Sequence, residues 1–370
     1  MPAKTGTRSG AARPRNLLEP AAFAGLFRAC PPEGFVLSPC SDLCVFRTKY
    51  DLLTTAAGDI PALLRRPAGF ARRLGLFRVQ AAFVGSTVTE YAVLPRAYGP
   101  EDILDAVLRE RDGNDSITVI KDLPDASPLQ DAEDNAFADA LVRAARARGF
   151  FTLCGQALAY VPIDFSSTDE YLSRLSASRR KDLRRKLKRG PPPEPEIIAC
   201  GDPRCSDPAF VDEIYTLYRA VFDRSEVHFD LLSRAFFANL LQSRDAGALL
   251  FLYRHKGETV GWNLCLAHNG LLIDKYIGFR YPAARDLNLY FLSWLFNLEY
   301  AVNNGFKTYI AGWTDPEVKA GLGASFTFTR HSVLVHNPLL RAVLYPLRRF
   351  FEADRATFAR SVKPHAENNA

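Results

Sequence analysis

No stretch of this 370-residue chain is both long enough and uncharged enough to cross a bilayer as a helix, which excludes an integral α-helical membrane protein. The opening "MPAKTGTRSGAARPR" is basic and rich in small residues, but no apolar core with a cleavage site follows it. Residues 1–20 therefore read as a disordered lead-in to a cytoplasmic protein. Tight cysteine knuckles are also missing. The seven cysteines are scattered, and neither Cys40/Cys44 nor Cys200/Cys205 has two-residue spacing or a histidine nearby. Reduced, packed thiols and no metal site are the expectation. There is no nucleophile elbow, Walker loop, zinc-protease helix or strong dinucleotide turn. Serine-hydrolase, P-loop and zinc-peptidase chemistry drop out with them.

Basic charge is scarce outside one place. The net charge is +6. Residues 179–189 ("RRKDLRRKLKR") hold eight Lys or Arg and one Asp, +7 by themselves, so the remainder carries 6 − 7 = −1. A chromatin or DNA-binding protein would spread its basicity more widely.

What is present is an alternation of strand-like and helix-like segments, with 48% hydrophobic and 24% charged residues. "CVFRTKYDLLTT", "LFRVQAAFVG", "TEYAVLP" and "SITVIKDLP" read as strands. "GPEDILDAVLRERDG" and "DAEDNAFADALVRAARARG" have acids early and a glycine stop, which is helix punctuation. "FFTLCGQALAYVPID" is a strand. "SSTDEYLSRLSASRRKDLRRKLKRG" reads as one helix, with Leu172, Leu175, Leu183 and Leu187 along one face in line with Arg179. "PPPEPE" at 191–196 is an extended linker and the best domain boundary.

The second half reads as strand ("EIIAC"), helix, helix (residues 229–247), a three-stranded meander (248–279), an apolar helix, a strand ("FKTYIAGW"), a short helix, a strand ("FTFTRHSVLVH") and one or two terminal helices. This is mixed α/β, not a strict βαβ repeat. The organisation predicted is a lead-in at 1–20, a first half at 21–170, a basic connecting helix at 171–190, a second half at 191–350 and a tail at 351–370.

The leucine stripe means that the basic helix is docked, with its cations fanned over the exposed sides. Nucleic acid, anionic lipid or a polyphosphate ligand are its possible uses, as is a merely solvated face. The lipid reading is the poorest of these, since the stripe holds no Trp or Phe.

"YLSRLSASRRKDLRRKLKR" resembles a segment typical of FemAB-like and CelD-like proteins of the GNAT superfamily, on Leu175, Ser176, Arg180, Lys181, Leu183, Arg184, Arg185 and Leu187. A second likeness is the aromatic strand "LLIDKYIGF", a long apolar helix ending Asn-Gly, a strand, and then "VKAGLGA", which looks like the family's Tyr-Lys-x-x-Phe-Gly element. The resemblance spans about residues 150–345. It implies a GNAT fold, with two GNAT-like halves joined by the basic helix, the first of them degenerate. It also implies N-acyl transfer to an amine on a small molecule, a sugar or a cell-envelope (peptidoglycan) precursor. Acetyl-CoA or another acyl-CoA is the first donor and aminoacyl-tRNA the alternative. A catalytically inactive binding protein of this fold is the third reading.

Such chemistry needs a splayed strand to hold the acyl oxygen, a base for the amine proton, and, for CoA, amides at a helix start. Leu271–Phe279 is the candidate strand, with Tyr276 and Ile277 at the acyl group and Tyr276 also a catalytic candidate. Strict alternation would put Asp274 and Tyr276 on one face and Lys275 on the other. Asp274 is the candidate base or amine-orienting residue. Lys319 matches the family lysine, although Val318 replaces the tyrosine before it. "RYPAARDLN" is the candidate phosphate cradle, with Arg280, Arg285 and Asn288 but no glycine. Trp313, His228, Arg180 and Arg184 are candidate substrate contacts, whereas Trp262 reads as packing.

Overall fold

A computed structural model describes residues 14–39, 42–52, 78–187, 195–225, 228–338 and 340–342. Among these, eleven strands form one sheet whose spatial order departs from chain order. They are β1 (Val36–Leu37), β2 (Val45–Asp51), β3 (Arg78–Val84), β4 (Ile117–Asp125), β5 (Phe151–Pro162), β6 (Pro195–Ala199), β7 (Ala248–His255), β8 (Glu258–His268), β9 (Leu271–Phe279), β10 (Thr308–Gly312) and β11 (Ser325–Val335). Across the sheet the order is β1-β2-β3-β4-β11-β5-β10-β9-β8-β7-β6. The last strand, β11, thus lies between β4 and β5, and β5 lies between β11 and β10. The two halves of the chain share one sheet and exchange strands at its centre.

Helices cover both faces, as a mixed α/β reading predicts. They are α1 (Ala21–Ala29), α2 (Pro100–Arg109), α3 (Ala132–Ala147), α4 (Thr168–Arg174), α5 (Ala177–Leu187), α6 (Pro208–Phe222), α7 (Arg234–Gln242), α8 (Ala283–Asp286), α9 (Leu289–Asn303) and α10 (Pro316–Gly321). Their starts follow ordinary capping chemistry. The side chains of Asp131, Ser167, Asp207 and Ser233 accept backbone N–H bonds in the first turns of α3, α4, α6 and α7. Strand alternation divides the core. Leu250 and Leu252 of β7 pack with α1, α6 and α7, whereas Phe251 and Tyr253 pack with α4, α5 and α9. A third cluster sits between α2, α3 and β2–β4.

Three sequence expectations change. The basic segment is two helices, not one. Leu175 is extended (ψ 154°), α4 ends before it, and Ser176 starts α5 by accepting the Arg179 N–H at 3.4 Å. Leu175 and Leu183 are nonetheless buried, as the stripe requires. "TEYAVLP" forms no strand, only a bridge from Leu94 to Arg15. Side chains take its amides instead: Thr89 N–H donates to Ser86 Oγ, and Glu90 N–H donates to Glu19 Oε1 at 2.8 Å. The helix at 229–247 shortens to α7, followed by a 3₁₀ turn that closes at Gly247 with φ +61°.

Cys30, Cys44, Cys154, Cys200, Cys205 and Cys265 are free thiols. Burial raises the thiol pKa of Cys44, Cys200, Cys205 and Cys265, as packed thiols require. Among the described residues no helix is long and apolar enough to cross a membrane, and no group of three His, Cys, Asp or Glu could hold a metal ion. Cys40, Leu187's side chain and most of the lead-in, linker and tail lie outside the described residues.

Candidate active site

β9 and β10 are parallel neighbours for only three residues. Leu271, Leu272 and Ile273 pair with Thr308, Tyr309 and Ile310, and the strands then part. Beyond Ile273, no described strand pairs with that edge of β9. Each strand carries an extra residue at the parting. On β9, Tyr276 faces Leu264 and Asp274 faces Cys265, so Lys275 is the bulged residue. On β10, Ile310 faces Tyr160 and Gly312 faces Ala159, which leaves Ala311 extra. Bulges bend strands and re-aim side chains, and here they mark the point where β9 and β10 part.

The bulge overturns the expectation that Asp274 and Tyr276 share a face. Tyr276 packs, partly buried, among Phe23, Tyr218, Phe236 and Phe237, on the side of α1, α6 and α7. Asp274 faces α9. Its Oδ1 accepts from Asn263 Nδ2 at 2.6 Å, and its Oδ2 accepts from Tyr309 OH at 2.8 Å and Asn297 Nδ2 at 3.3 Å. Strict alternation failed because one inserted residue reverses the phase of a strand.

Burial lifts the Asp274 carboxyl to about 6, against the opposing pull of Tyr309, Asn263, Lys319 and Lys275. Lys319, on α10, is only 5% exposed, so it is no surface lysine. Its burial lowers it to about 8, opposed by Asp274, Asp315 and Glu90. Gly312 (φ +78°) lies between Lys319 and the backbone of Asp274, and the Lys319 charge acts on the Asp274 carboxyl. A methyl placed on Gly312 would lie 3.6 Å from the Asp274 carbonyl oxygen and 3.9 Å from Lys319 Nζ. A carboxylate basic enough to take a proton thus stands near an ammonium whose charge is not cancelled by an ion pair among the described residues.

Lys275 serves a different network. Its ammonium donates to Glu19 Oε1 at 2.9 Å and to Glu90 Oε1 at 2.7 Å, with all three side chains buried. Glu90 belongs to the first half, whereas Glu19 lies in the segment read as a disordered lead-in, where Asn16, Leu17, Leu18 and Glu19 are in fact buried.

The remaining candidates are placed as follows. Ile277 lies on β9 opposite Asn263, on the α9 side. Trp313 follows β10 and is half-buried against the α1/α6 core. His228 is exposed, with its ring 5.1 Å from that of Phe222. Arg180 donates to the carbonyl oxygens of Ser173 and Leu175 and so joins α4 to α5. Arg184 is exposed, and it makes no ion pair among the described residues. Trp262 is fully buried and donates to the Ile214 carbonyl at 3.0 Å, as its packing role predicts.

In the loop 280–288, Arg280 donates to the Thr259 carbonyl oxygen at 2.8 Å and approaches Glu213 at 3.6 Å. The Arg285 guanidinium lies 5.3 Å from the Tyr281 ring centre, and Asn288 Nδ2 donates to the Lys186 carbonyl oxygen at 3.0 Å. The backbone amides of residues 284–288 all donate to carbonyl oxygens within the turn itself.

Sequence reasoning missed Asn297, Tyr309, Glu19 and Glu90 as members of the site. Asn297 carried a signal, being polar in the middle of the apolar run "LYFLSWLFNLEYAVN". Nothing local marked the two glutamates.

The sequence profile of the FemAB-like family, described as peptidoglycan biosynthesis/recognition, matches residues 119–369. The chain belongs to this family. Two solved structures share the fold. FemX is 13% identical with a TM-score of 0.51, covering 90% of this chain and 95% of its own. The C-terminal domain of an Agrobacterium fabrum protein named as a lysylphosphatidylglycerol synthetase is 12% identical with a TM-score of 0.50, covering 93% of each chain. No curated protein matches the chain in a sequence search. The mixed α/β fold implied by the resemblance to FemAB-like proteins is therefore present. Family membership supports a transferase in peptidoglycan-related processes.

Proposed function

We propose that this FemAB-like protein is a cytoplasmic N-acyltransferase that works at the parting of β9 and β10 and acylates an amine of a cell-envelope precursor. The observation that carries the proposal is that buried Asp274 and Lys319 each feel the other's charge where the strands part. The acceptor nitrogen attacks the acyl carbon, and its carbonyl oxygen becomes an oxyanion. Lys319 is the charge that stabilises this oxyanion, and Asp274 takes the proton released as nitrogen becomes an amide. The bond to the leaving oxygen or sulfur then breaks, and the proton goes to that atom. Asn263, Asn297 and Tyr309 hold the carboxylate in place.

Of the two donors, the 280–288 loop favours aminoacyl-tRNA over acyl-CoA. A CoA pyrophosphate needs unspent amides in the loop that leads into a helix, and here the amides of 284–288 are already bonded. The exposed cations Arg179, Lys181 and Arg184 of α5 lie on a helix joined to the start of α9 through the Asn288–Lys186 bond. They suit a polyphosphate backbone.

Calorimetric titration with acetyl-CoA and with aminoacyl-tRNA, each at two salt concentrations, separates the donors. The proposal expects tRNA binding that weakens steeply with salt. Micromolar, salt-insensitive CoA binding would reverse the choice of donor. If neither binds, the inactive-protein reading stands instead.

A further inference from the structure

We infer that Glu19 and Glu90 are positioning residues for the transfer site, clamping Lys275 and with it the bulge that sends Asp274 to the α9 face. This inference rests on the proposed role of Asp274. It extends that role to two residues that lie outside the family-matched segment 119–369.

The geometry is specific. Lys275 is the one residue of β9 without a partner on β8, so its backbone position is not set by the ladder. Its side chain sets that position instead. The ammonium is held from two sides, by Glu19 just before α1 and by Glu90 in the loop after β3. The glutamates are also tied to each other, because Glu19 Oε1 accepts the Glu90 N–H at 2.8 Å. The Phe23 ring, 5.5 Å from the ammonium, closes a third side.

Two carboxylates around one ammonium, all buried, is a costly arrangement. Replacing such a group with apolar residues is often neutral or stabilising. Stability alone therefore does not account for it, whereas fixing a register does. If the clamp were released, Lys275 could return to the ladder. Asp274 would then lose its place opposite Cys265 and beside Tyr309 and Asn297. Residues N-terminal to the basic helix thereby complete a site whose reacting groups all come from the second half.

The test uses the full chain with Glu90→Asp and Glu19→Asp, which keep the charge but shorten the clamp, and with Glu133→Gln as a control in a surface ion pair. Three quantities are read: thermal stability, the transfer kinetics, and the titration of the Asp274 carboxyl by ¹³C NMR. The expected result is a kcat lower by about 10- to 100-fold, with donor KM within about twofold. The Asp274 titration should move from about 6 towards the ordinary carboxylate range as the group becomes solvated. The control should change none of these. Loss of thermal stability with kcat and the Asp274 titration unchanged overturns the inference and leaves the clamp purely structural. If the wild type transfers nothing from either donor, the functional proposal fails by itself. The NMR titration then decides the inference: movement in the Asp variants supports it and a fixed titration overturns it.

Discussion

Tyr309 and Asp274 stand side by side on neighbouring parallel strands, and the Tyr309 hydroxyl donates to Asp274 Oδ2 at 2.8 Å. Tyr309 is in register with Leu272, so Asp274 is the next β9 residue on the same face. It is also the first one there beyond the last pair with β10. A carboxylate is thus fixed at the point where the sheet opens, within range of Lys319.

That position sets a pH dependence. Asp274, near 6, must be ionised to accept a proton, and Lys319, near 8, must be protonated to stabilise an oxyanion. Transfer should rise through pH 6 and fall through pH 8 in a bell-shaped profile. Tyr309→Phe removes a bond that favours the ionised carboxyl, so the acid limb should move to higher pH. A pH–rate profile of the two proteins checks this; an acid limb that stays in place in the variant counts against Asp274 as the base.

The same group shapes stability. The folded-state carboxyl lies above its usual value of 3.8, so folding favours the protonated form. Its stabilising contribution is complete below about pH 4 and is lost as pH rises through 6. Urea melts between pH 4 and 7 should show this loss, amounting to about 3 kcal/mol at most, and Asp274→Asn should flatten the slope.

Lys319→Met should lower kcat by about 100- to 1,000-fold. Its stability should hold or rise, because a buried charge is removed. Steady-state kinetics and a thermal melt on one preparation test both halves of this statement.

A methyl at Gly278 would fall 2.2 Å from Trp262 Nε1 and 2.9 Å from Leu217 Cβ. Gly278→Ala should therefore destabilise the fold by about 1–3 kcal/mol through overpacking. Because Trp262 is tied to Ile214 of α6, the loss should register in denaturant melts and in tryptophan fluorescence.

The double variant Lys181→Glu/Arg184→Glu removes two exposed cations that carry no ion pair among the described residues. With aminoacyl-tRNA as donor, KM should rise and the salt slope should fall by about one for each phosphate the helix no longer neutralises. Unchanged KM and salt slope would mean that this helix face is only solvated.

The basic helix, the apolar helix and the order of the late strands were legible in the sequence because each rests on local punctuation and periodicity. Asp274 and Lys319 were legible as ionisable residues in apolar company or in a matching motif. What escaped depends on distant partners. The bulge at Lys275 cannot be counted from β9 alone, since it exists only relative to β8. Glu19 and Glu90 are 71 residues apart in the chain and are joined by a backbone amide and a lysine that come together only in the folded sheet. The break at Leu175 follows from Ser176 capping a new helix, which an unbroken leucine stripe conceals.

The most direct measurement is single-turnover transfer of a labelled acyl group from aminoacyl-tRNA, and in parallel from acetyl-CoA, to an amine-bearing peptidoglycan precursor by wild type and Asp274→Asn. The wild type should yield an amide product, and the variant, which stays folded, should react about 100- to 10,000-fold more slowly. Equal rates in the two proteins would contradict the placement of the reaction where β9 and β10 part.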